Sequence, residues 1–353
     1  MNVDIPKVSV VMPVYKGDNY LSEAVDSILN QTFSDFEFII ICDDPTDKTR
    51  GILDKYKQED SRMKIYYQER QGLVNSLNRS FSLAQGEYIA RMDADDISRP
   101  ERLEKQLDHL ANPQTDFVCS WIDIINETGE IIDHIADISS SEEIYYTLNF
   151  RNCIAHGSIM FRKNIIDVIG SYDESCAAED YHLWHRVSKK YIIHKIDVPL
   201  YAWRTHETSI SSVNYNRLSE AVYKIFRDNF TQLLGRDIED KLTRLMWDNF
   251  CNTHYADLNN YSRQELLTIA KLIRKLNAAI VDNAPPDLSK RSINELGNEK
   301  YIRYLAVAGR KIGVLKTLEL INEIDESDLD KIAIIRRLAG NLIRNRKNTT
   351  KNY

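Results

Sequence analysis

EYIARMDADDISRPERL, residues 87–103, decides how the chain reads. EYIARM alternates apolar and polar residues as a strand does, and Pro100 opens a segment with helical periodicity. Between them Asp93, Asp95 and Asp96 place three carboxylates within four positions. Carboxylates this close raise one another's pKa unless a cation neutralises them. Hard divalent cations take oxygen ligands, and Mg²⁺ commonly uses one or two protein carboxylates together with substrate phosphates. A strand-end DxD therefore suits a metal–diphosphate site. The same residues also suit a polar strand-to-helix loop in which Asp96 or Ser98 caps the following helix.

Working outward toward the N-terminus, strand and helix signals alternate. KVSVVMPV (7–14) is a β-branched run, followed by NYLSEAVDSILNQTF (19–33) with Leu21, Ala24, Val25, Ile28 and Leu29 on one helical face. FEFIIIC (36–42) is a second apolar run ending at Asp43-Asp44-Pro45. RGILDKYKQ (50–58) reads as helix, MKIYYQ (63–68) as strand and GLVNSLNRSFSLA (72–84) as helix, which Gly86 stops. Strands separated by helices of this length imply βαβ units and a mostly parallel sheet buried on both faces. Ligands of such sheets bind beyond the carboxyl ends of the strands. Asp44 and the 93–96 cluster both follow strands, which places them on one rim.

Other acidic and phosphate motifs fit poorly. An EF-hand counted from Asp93 would need Gly at the sixth position and finds Ser98. A DxDx[TV] phosphatase motif would need Thr or Val where Ile97 stands. GxGxxG and GxxxxGK[ST] are both missing after the first strand, where PVYKGDNYL offers one glycine.

Toward the C-terminus the pattern loosens. DFVCSW, IDIIN, EIIDHI, GSIMF and YIIHKI read as extended segments, and AAEDYHLWHRVSKK (177–190) as a helix. Beyond Val213 the sequence is almost wholly helical, its strongest breaker being NAPPD at 283–287, so a boundary is expected there: a first domain of residues 1–213 and a helical one of 214–353. Residues 331–347 place Ile335, Leu338, Ala339, Leu342 and Ile343 on one face of a basic helix, which suits either packing on its own domain or contact with an anionic membrane surface.

Composition narrows the class. The chain has 353 residues, 43% hydrophobic and 28% charged, with a net charge of −7. An acidic balance argues against general nucleic-acid binding, which needs a basic surface. Five scattered cysteines without a CxxC pair suit a reducing compartment. No apolar run reaches the ~20 residues of a membrane span, and the first residues lack the basic start of a signal peptide. The expected location is cytoplasmic, with peripheral attachment to the inner face of the membrane as a second expectation.

VSVVMPVYKGDNYLSEAVDSILNQTF, DDPTDKT, GEYIARMDADDISRPERL, HGSIMFRK, AEDYHLWHRV and PLYAWRTHETSIS together resemble the family 2 glycosyltransferases in order and spacing, over roughly residues 5–213. The resemblance implies the GT-A fold, Rossmann-like with a mostly parallel central sheet flanked by helices, here followed by an all-helical region. It implies an inverting transfer from a nucleotide-diphosphate sugar. Tyr15, after Pro13 and Val14, would lie against the nucleobase and Asp44 would accept a hydrogen bond from it, which favours uracil and a UDP-sugar. Arg70 and Gly72 would help hold the nucleotide. Asp93 would sit near ribose and metal, Asp95 would bind Mn²⁺ or Mg²⁺, and His206 would reach the metal or diphosphate. Asp180 would be the general base, with Glu179, Trp184 and His156 on the acceptor side. The family's usual DDGS is DDPT here, so Pro45 stiffens the loop after Asp44.

The function expected is transfer of a sugar to a hydroxyl of a glycan or polyprenyl-diphosphate-linked acceptor in surface polysaccharide synthesis, such as O-antigen or capsule. A non-catalytic nucleotide- or carbohydrate-binding module of the same fold and a metal-dependent phosphatase are the alternatives. UDP-sugar turnover separates the first, and phosphate release from a monoester without acceptor separates the second. The helical region could dimerise, meet a membrane or cover the acceptor cleft.

Overall fold

In the computed structural model, residues 5–15, 19–206, 215–250 and 260–322 are described. The basic segment 331–347 and the boundary at 213 lie outside them. The chain divides into two compact units, one ending at Ile225 and one beginning at Phe226.

The first unit is built on a nine-stranded mixed sheet. Its strands are β1 (Val8–Val14), β2 (Phe36–Asp43), β3 (Met63–Gln68), β4 (Tyr88–Arg91), β5 (Ile97–Ser98), β6 (Phe117–Ile125), β7 (Ile131–Ile135), β8 (Met160–Arg162) and β9 (Ile193–Arg204). The order is β3-β2-β1-β4-β8-β6-β9-β5, with β7 paired to β6. Strands β3, β2, β1 and β4 run parallel, as the alternating sequence pattern requires, so Asp43 and Arg91 end their strands on the same rim. From β8 onward the sheet turns mixed: β8 is antiparallel to both β4 and β6, and β9 is parallel to β6.

Helices cover both faces because side chains of a strand alternate. Val8, Val10, Met12 and Val14 of β1 point into one core with Leu21, Ala24, Val25 and Ile28 of α1 (Leu21–Leu29), Leu53 of α2 (Asp47–Glu59), and Leu103 and Leu110 of α4 (Arg102–Leu110). Val11 points the other way, with Ile39, Ile41 and Ile89, toward Leu77 and Phe81 of α3 (Leu73–Leu83) and Leu183, Trp184 and Val187 of α7 (Glu179–Ser188). The short helices α5 (Ser141–Leu148) and α6 (Asn164–Ile169) join this second core through Ile144, Leu148 and Ile165. Each Val, Leu, Ile, Phe or Met side chain among them taken fully out of water contributes roughly 1.5–3 kcal/mol.

Three readings of the sequence are revised. DFVCSW and IDIIN are one strand, β6, and YIIHKI continues through Pro199 as the twelve-residue β9. Pro199 is tolerated because the register with β6 shifts at Trp121, its partner. Neither Asp96 nor Ser98 caps α4: Glu101 makes no capping bond, the distant Gln31 side chain accepts from the Leu103 N–H at 3.0 Å, and Ser98 lies in β5, paired with Tyr201.

The second unit is helical: α9 (Asp240–Phe250), α10 (Arg263–Asp282), α11 (Lys290–Ile312) and α12 (Val314–Asn322). The helix α8 (Tyr215–Leu234) leads into it, its first turns packing Leu218, Ala221, Val222 and Ile225 on the second core of the first unit. NAPPD separates α10 from α11. A capping box of Ser262 and Glu265 starts α10, and Asn277 of α10 donates to the Gly297 carbonyl of α11 at 2.8 Å. No described helix is long and apolar enough to cross a membrane.

Candidate active site

The acidic loop 93–96 hangs between β4 and the two-residue strand β5, which pairs with β9. That pairing gives its three carboxylates different fates. Asp96 is buried and accepts from the Tyr201 hydroxyl at 2.7 Å and the Arg204 backbone N–H at 2.7 Å. Burial, with the charge of Asp95 nearby, pushes its carboxyl up to about 7. It fastens the loop to β9. Asp93 pairs with the buried guanidinium of Arg91, and its backbone N–H donates to the Tyr201 hydroxyl at 3.1 Å. Asp95 stays at the surface side, and its Oδ2 lies 2.9 Å from Nε2 of His206, just past β9. Tyr20 rests against His206 with ring centroids 5.5 Å apart.

Arg204 holds this arrangement from below. Its buried guanidinium donates to the carbonyls of Asp95 (2.8 Å), Asn126 and Glu127 (both 3.1 Å) and to the Glu23 carboxylate. Arg102, also buried, donates to the carbonyls of Arg91 at 2.7 Å and Ile159 at 3.0 Å. Burial draws its guanidinium down to about 10.

At the β2 end of the rim the two adjacent aspartates divide their work. Asp43 is buried and accepts from the backbone N–H groups of Gln71 and Gly72, both at 2.8 Å. Gly72 has φ +90°, a conformation that favours glycine, and it starts α3. Asp44 is exposed and is the one non-glycine residue with positive φ, 51°, among the described residues. Aspartate tolerates this left-handed conformation better than most. Tyr15 is exposed beyond β1, which contains Pro13, and the Arg70 guanidinium lies 4.8 Å from its ring centroid.

The third part lies at the start of α7. Glu179 and Asp180 occupy its first turn, where a helix N-terminus favours negative charge. Asp180 accepts from the Asn152 side chain at 2.9 Å and from the Tyr181 backbone at 2.6 Å. Burial raises its pKa above the ordinary carboxylate value, and burial with the Asp180 charge lifts Glu179 to about 7. His156 lies 3.9 Å from Glu179 and shares a 2.7 Å hydrogen bond with the Tyr172 hydroxyl. Burial and Arg91 hold its imidazole well below the usual value, so it is neutral near pH 7. Trp184 is wholly buried: its ring packs on Phe117 at 5.2 Å and His156 at 5.8 Å, so it backs His156 without reaching the surface.

Arg91 joins these parts. It ends β4 with its side chain buried, contacts Asp93, and its positive charge partly opposes the rise that burial imposes on Asp96, Glu179 and Asp180. Its Nε has no hydrogen-bond partner among the described residues. Asp93 is thus committed to a guanidinium, while Asp95 and His206 form a carboxylate–imidazole pair. Among the described residues no cluster of three or more His, Cys, Asp or Glu could hold a metal ion. Two side-chain ligands still fit a cation that takes its remaining oxygens from a bound diphosphate and water.

The sequence reading missed Arg91, Asp43, Asn152, Tyr201 and Arg204. All but Asn152 were inside quoted motifs, where the arginine beside a DxD, the first of two aspartates and the tyrosine and arginine of PLYAWRTHETSIS could have been singled out. Asn152 carries no periodic signal at all.

The model of Glycosyl transferase family 2 matches residues 9–169. The O-antigen biosynthesis glycosyltransferase WbnJ of Escherichia coli is 39% identical over 181 residues, 51% of this chain and 71% of that protein. An uncharacterized glycosyltransferase of Haemophilus influenzae is 33% identical over 244 residues, 65% of this chain and 75% of its own length. Among solved structures, S. aureus TarS 1–349 in complex with UDP-GlcNAc superposes with a TM-score of 0.54 at 19% identity, covering 91% of each chain.

Proposed function

The chain belongs to glycosyl transferase family 2, and from that premise we propose that it moves a sugar from a UDP-sugar to a glycan or lipid-linked hydroxyl, with inversion, in surface polysaccharide synthesis. The polysaccharide setting is supported by the likeness to an O-antigen enzyme. The reaction is supported most directly by one observation: the buried Arg91 guanidinium pairs with Asp93, and its charge also acts on Glu179 and Asp180. A donor phosphate side and an acceptor hydroxyl side then meet around one fixed charge.

On the donor side, Tyr15 with Arg70 offers an aromatic platform for a base, and the exposed Asp44 carboxylate accepts from uracil N3–H. Asp95 and His206 would hold a divalent cation, Mn²⁺ or Mg²⁺, which when bound neutralises charge on the diphosphate. On the acceptor side, Asp180 takes the proton of the attacking hydroxyl. The hydroxyl oxygen bonds to the anomeric carbon from the face opposite the phosphate. The bond from that carbon to the β-phosphate oxygen breaks, and its electron pair leaves with UDP. One displacement inverts the configuration. A positioned general base contributes typically 10²–10⁴-fold, and a base raised above the ordinary carboxylate value by burial is better matched to neutral pH than a solvated one.

The reading is tested by incubating the purified chain with a panel of nucleotide sugars and lipid-linked acceptors, with Mn²⁺ or with EDTA. UDP release dependent on acceptor and lost in EDTA is expected. Release undiminished in EDTA removes the cation from the account, and release of GDP alone removes the uracil assignment.

A further inference from the structure

We infer that Asn152 is a positioning residue for the transfer step: its amide, oriented by its own backbone, holds the Asp180 carboxylate in a single orientation toward the acceptor hydroxyl. This rests on the reading of Asp180 as general base.

The orientation of the amide follows from its two contacts. An asparagine side chain offers an acceptor oxygen and a donor nitrogen. Oδ1 of Asn152 accepts from the Ile154 backbone N–H at 3.0 Å, and a backbone N–H can only donate. The nitrogen end is therefore the one that faces Asp180, at 2.9 Å from Oδ2. The other carboxylate oxygen, Oδ1, accepts from the Tyr181 N–H at 2.6 Å. Each oxygen of Asp180 thus has a donor from a neighbouring residue, and the Asp180 backbone N–H acts on the same carboxylate. A carboxylate offers about four lone-pair sites, so sites remain for a substrate hydroxyl.

The backbone carrying Asn152 is itself anchored. Arg151 N–H donates back to Thr147 of α5 at 3.0 Å, and Lys195 of β9 donates to the Cys153 carbonyl at 3.3 Å. Farther on, Gln106 of α4 donates to the Ser158 carbonyl at 2.8 Å and Arg102 to that of Ile159 at 3.0 Å. His156, which faces Glu179, and Gly157, which abuts Tyr201, lie on the same segment. One stiff stretch of chain therefore sets the base, its neighbouring acid and the β9 tyrosine that fastens the acidic loop.

The clamp also acts on ionisation, because a donor hydrogen bond favours the charged form of a carboxylate. The other groups acting on or near Asp180 are Arg91 from β4, Glu179 in its own turn, and Tyr172 and Cys176 from the segment before α7. None of these donates a side-chain hydrogen bond to Asp180 among the described residues; Asn152 alone does.

The experiment compares wild type, Asn152→Ala, Asn152→Asp and Asp180→Asn, all as the full chain. The Asp180 carboxyl carbon, assigned by its loss in Asp180→Asn, is titrated by ¹³C NMR without ligands. UDP binding with MnCl₂ is measured in parallel, along with turnover of the UDP-sugar panel. The Asp180 midpoint is expected to rise by about half a pH unit or more in Asn152→Ala and further in Asn152→Asp, where two carboxylates meet. Turnover falls about tenfold or more while UDP affinity stays within about twofold. An unmoved midpoint in the folded, near-isosteric Asn152→Asp overturns the clamp, as does full turnover in Asn152→Ala. If Asp180→Asn itself keeps full turnover, the base assignment fails and the positioning role fails with it. If Asp180→Asn is inactive while the Asn152 variants match wild type, only the clamp is lost.

Discussion

Gly157 shows how little freedom the site leaves at the scale of one residue. A Cβ added there would lie 2.0 Å from the ring and hydroxyl of Tyr201, the same hydroxyl that meets Asp96 and the Asp93 N–H. Gly157→Ala must therefore displace Tyr201 and loosen the acidic loop. A loss of about 1–3 kcal/mol in stability is expected from overpacking, with transfer reduced more than tenfold; a thermal melt and a UDP-release assay check both. Glu179 offers a pH test. Burial holds its folded value at about 7 against an ordinary 4.5. A carboxyl raised on folding binds more protons in the folded state, so its stabilisation is complete below about 4.5 and is lost as pH rises through 7. Glu179→Gln is expected to melt above wild type at pH 8 and close to it at pH 4.5. Equal melting at pH 8 contradicts the assignment. Asp95, Asp180 and His206 stand out in the motifs because their chemistry shows in their type. Asn152 does not, since its role comes from a 2.9 Å contact across 28 positions of sequence.

Among the elements, legibility followed periodicity. Strand β3 is MKIYYQ as the sequence suggests, and β1, β2, β4 and α3 fall where their patterns place them. Helix α5 went unread although Ser140 and Glu143 form an S-x-x-E start, with the Ser140 side chain accepting from the Glu143 N–H at 3.1 Å. Strand β9 was read short because Pro199 ordinarily ends a strand, and only the bulge against β6 lets it continue. That extension matters: Tyr201 and Arg204, which set the acidic loop, belong to the half without a strand signal. In the second unit, the capping box of α10 gives a test at this scale. Ser262→Ala is expected to lower stability by about 1 kcal/mol in denaturant unfolding and to leave UDP release unchanged; unaltered unfolding would show that the cap contributes nothing.

For the whole molecule, the parallel half of the sheet and its covering helices follow from alternation in the sequence, while the mixed half does not. Strands β6, β8 and β9 pair across long separations that no local pattern encodes. The parallel half delivers Tyr15, Asp44 and the acidic loop to one rim, and the mixed half supplies His206 beside Asp95. If this rim binds a donor diphosphate through a cation, removing the cation weakens UDP binding. His206→Ala should do so in part, by about tenfold, and Asp95→Ala more; calorimetry with UDP in Mn²⁺ and in EDTA gives the comparison. Unchanged affinity in all of them would detach the acidic rim from the diphosphate.

The most direct measurement is made on Asp180→Asn, which keeps the size of the side chain and removes its capacity to take a proton. Binding of UDP with Mn²⁺ and acceptor-dependent UDP release are measured side by side on this variant and on wild type. Binding within about twofold of wild type, with release reduced by two to four orders of magnitude, is the predicted result. Release at the wild-type rate would contradict it.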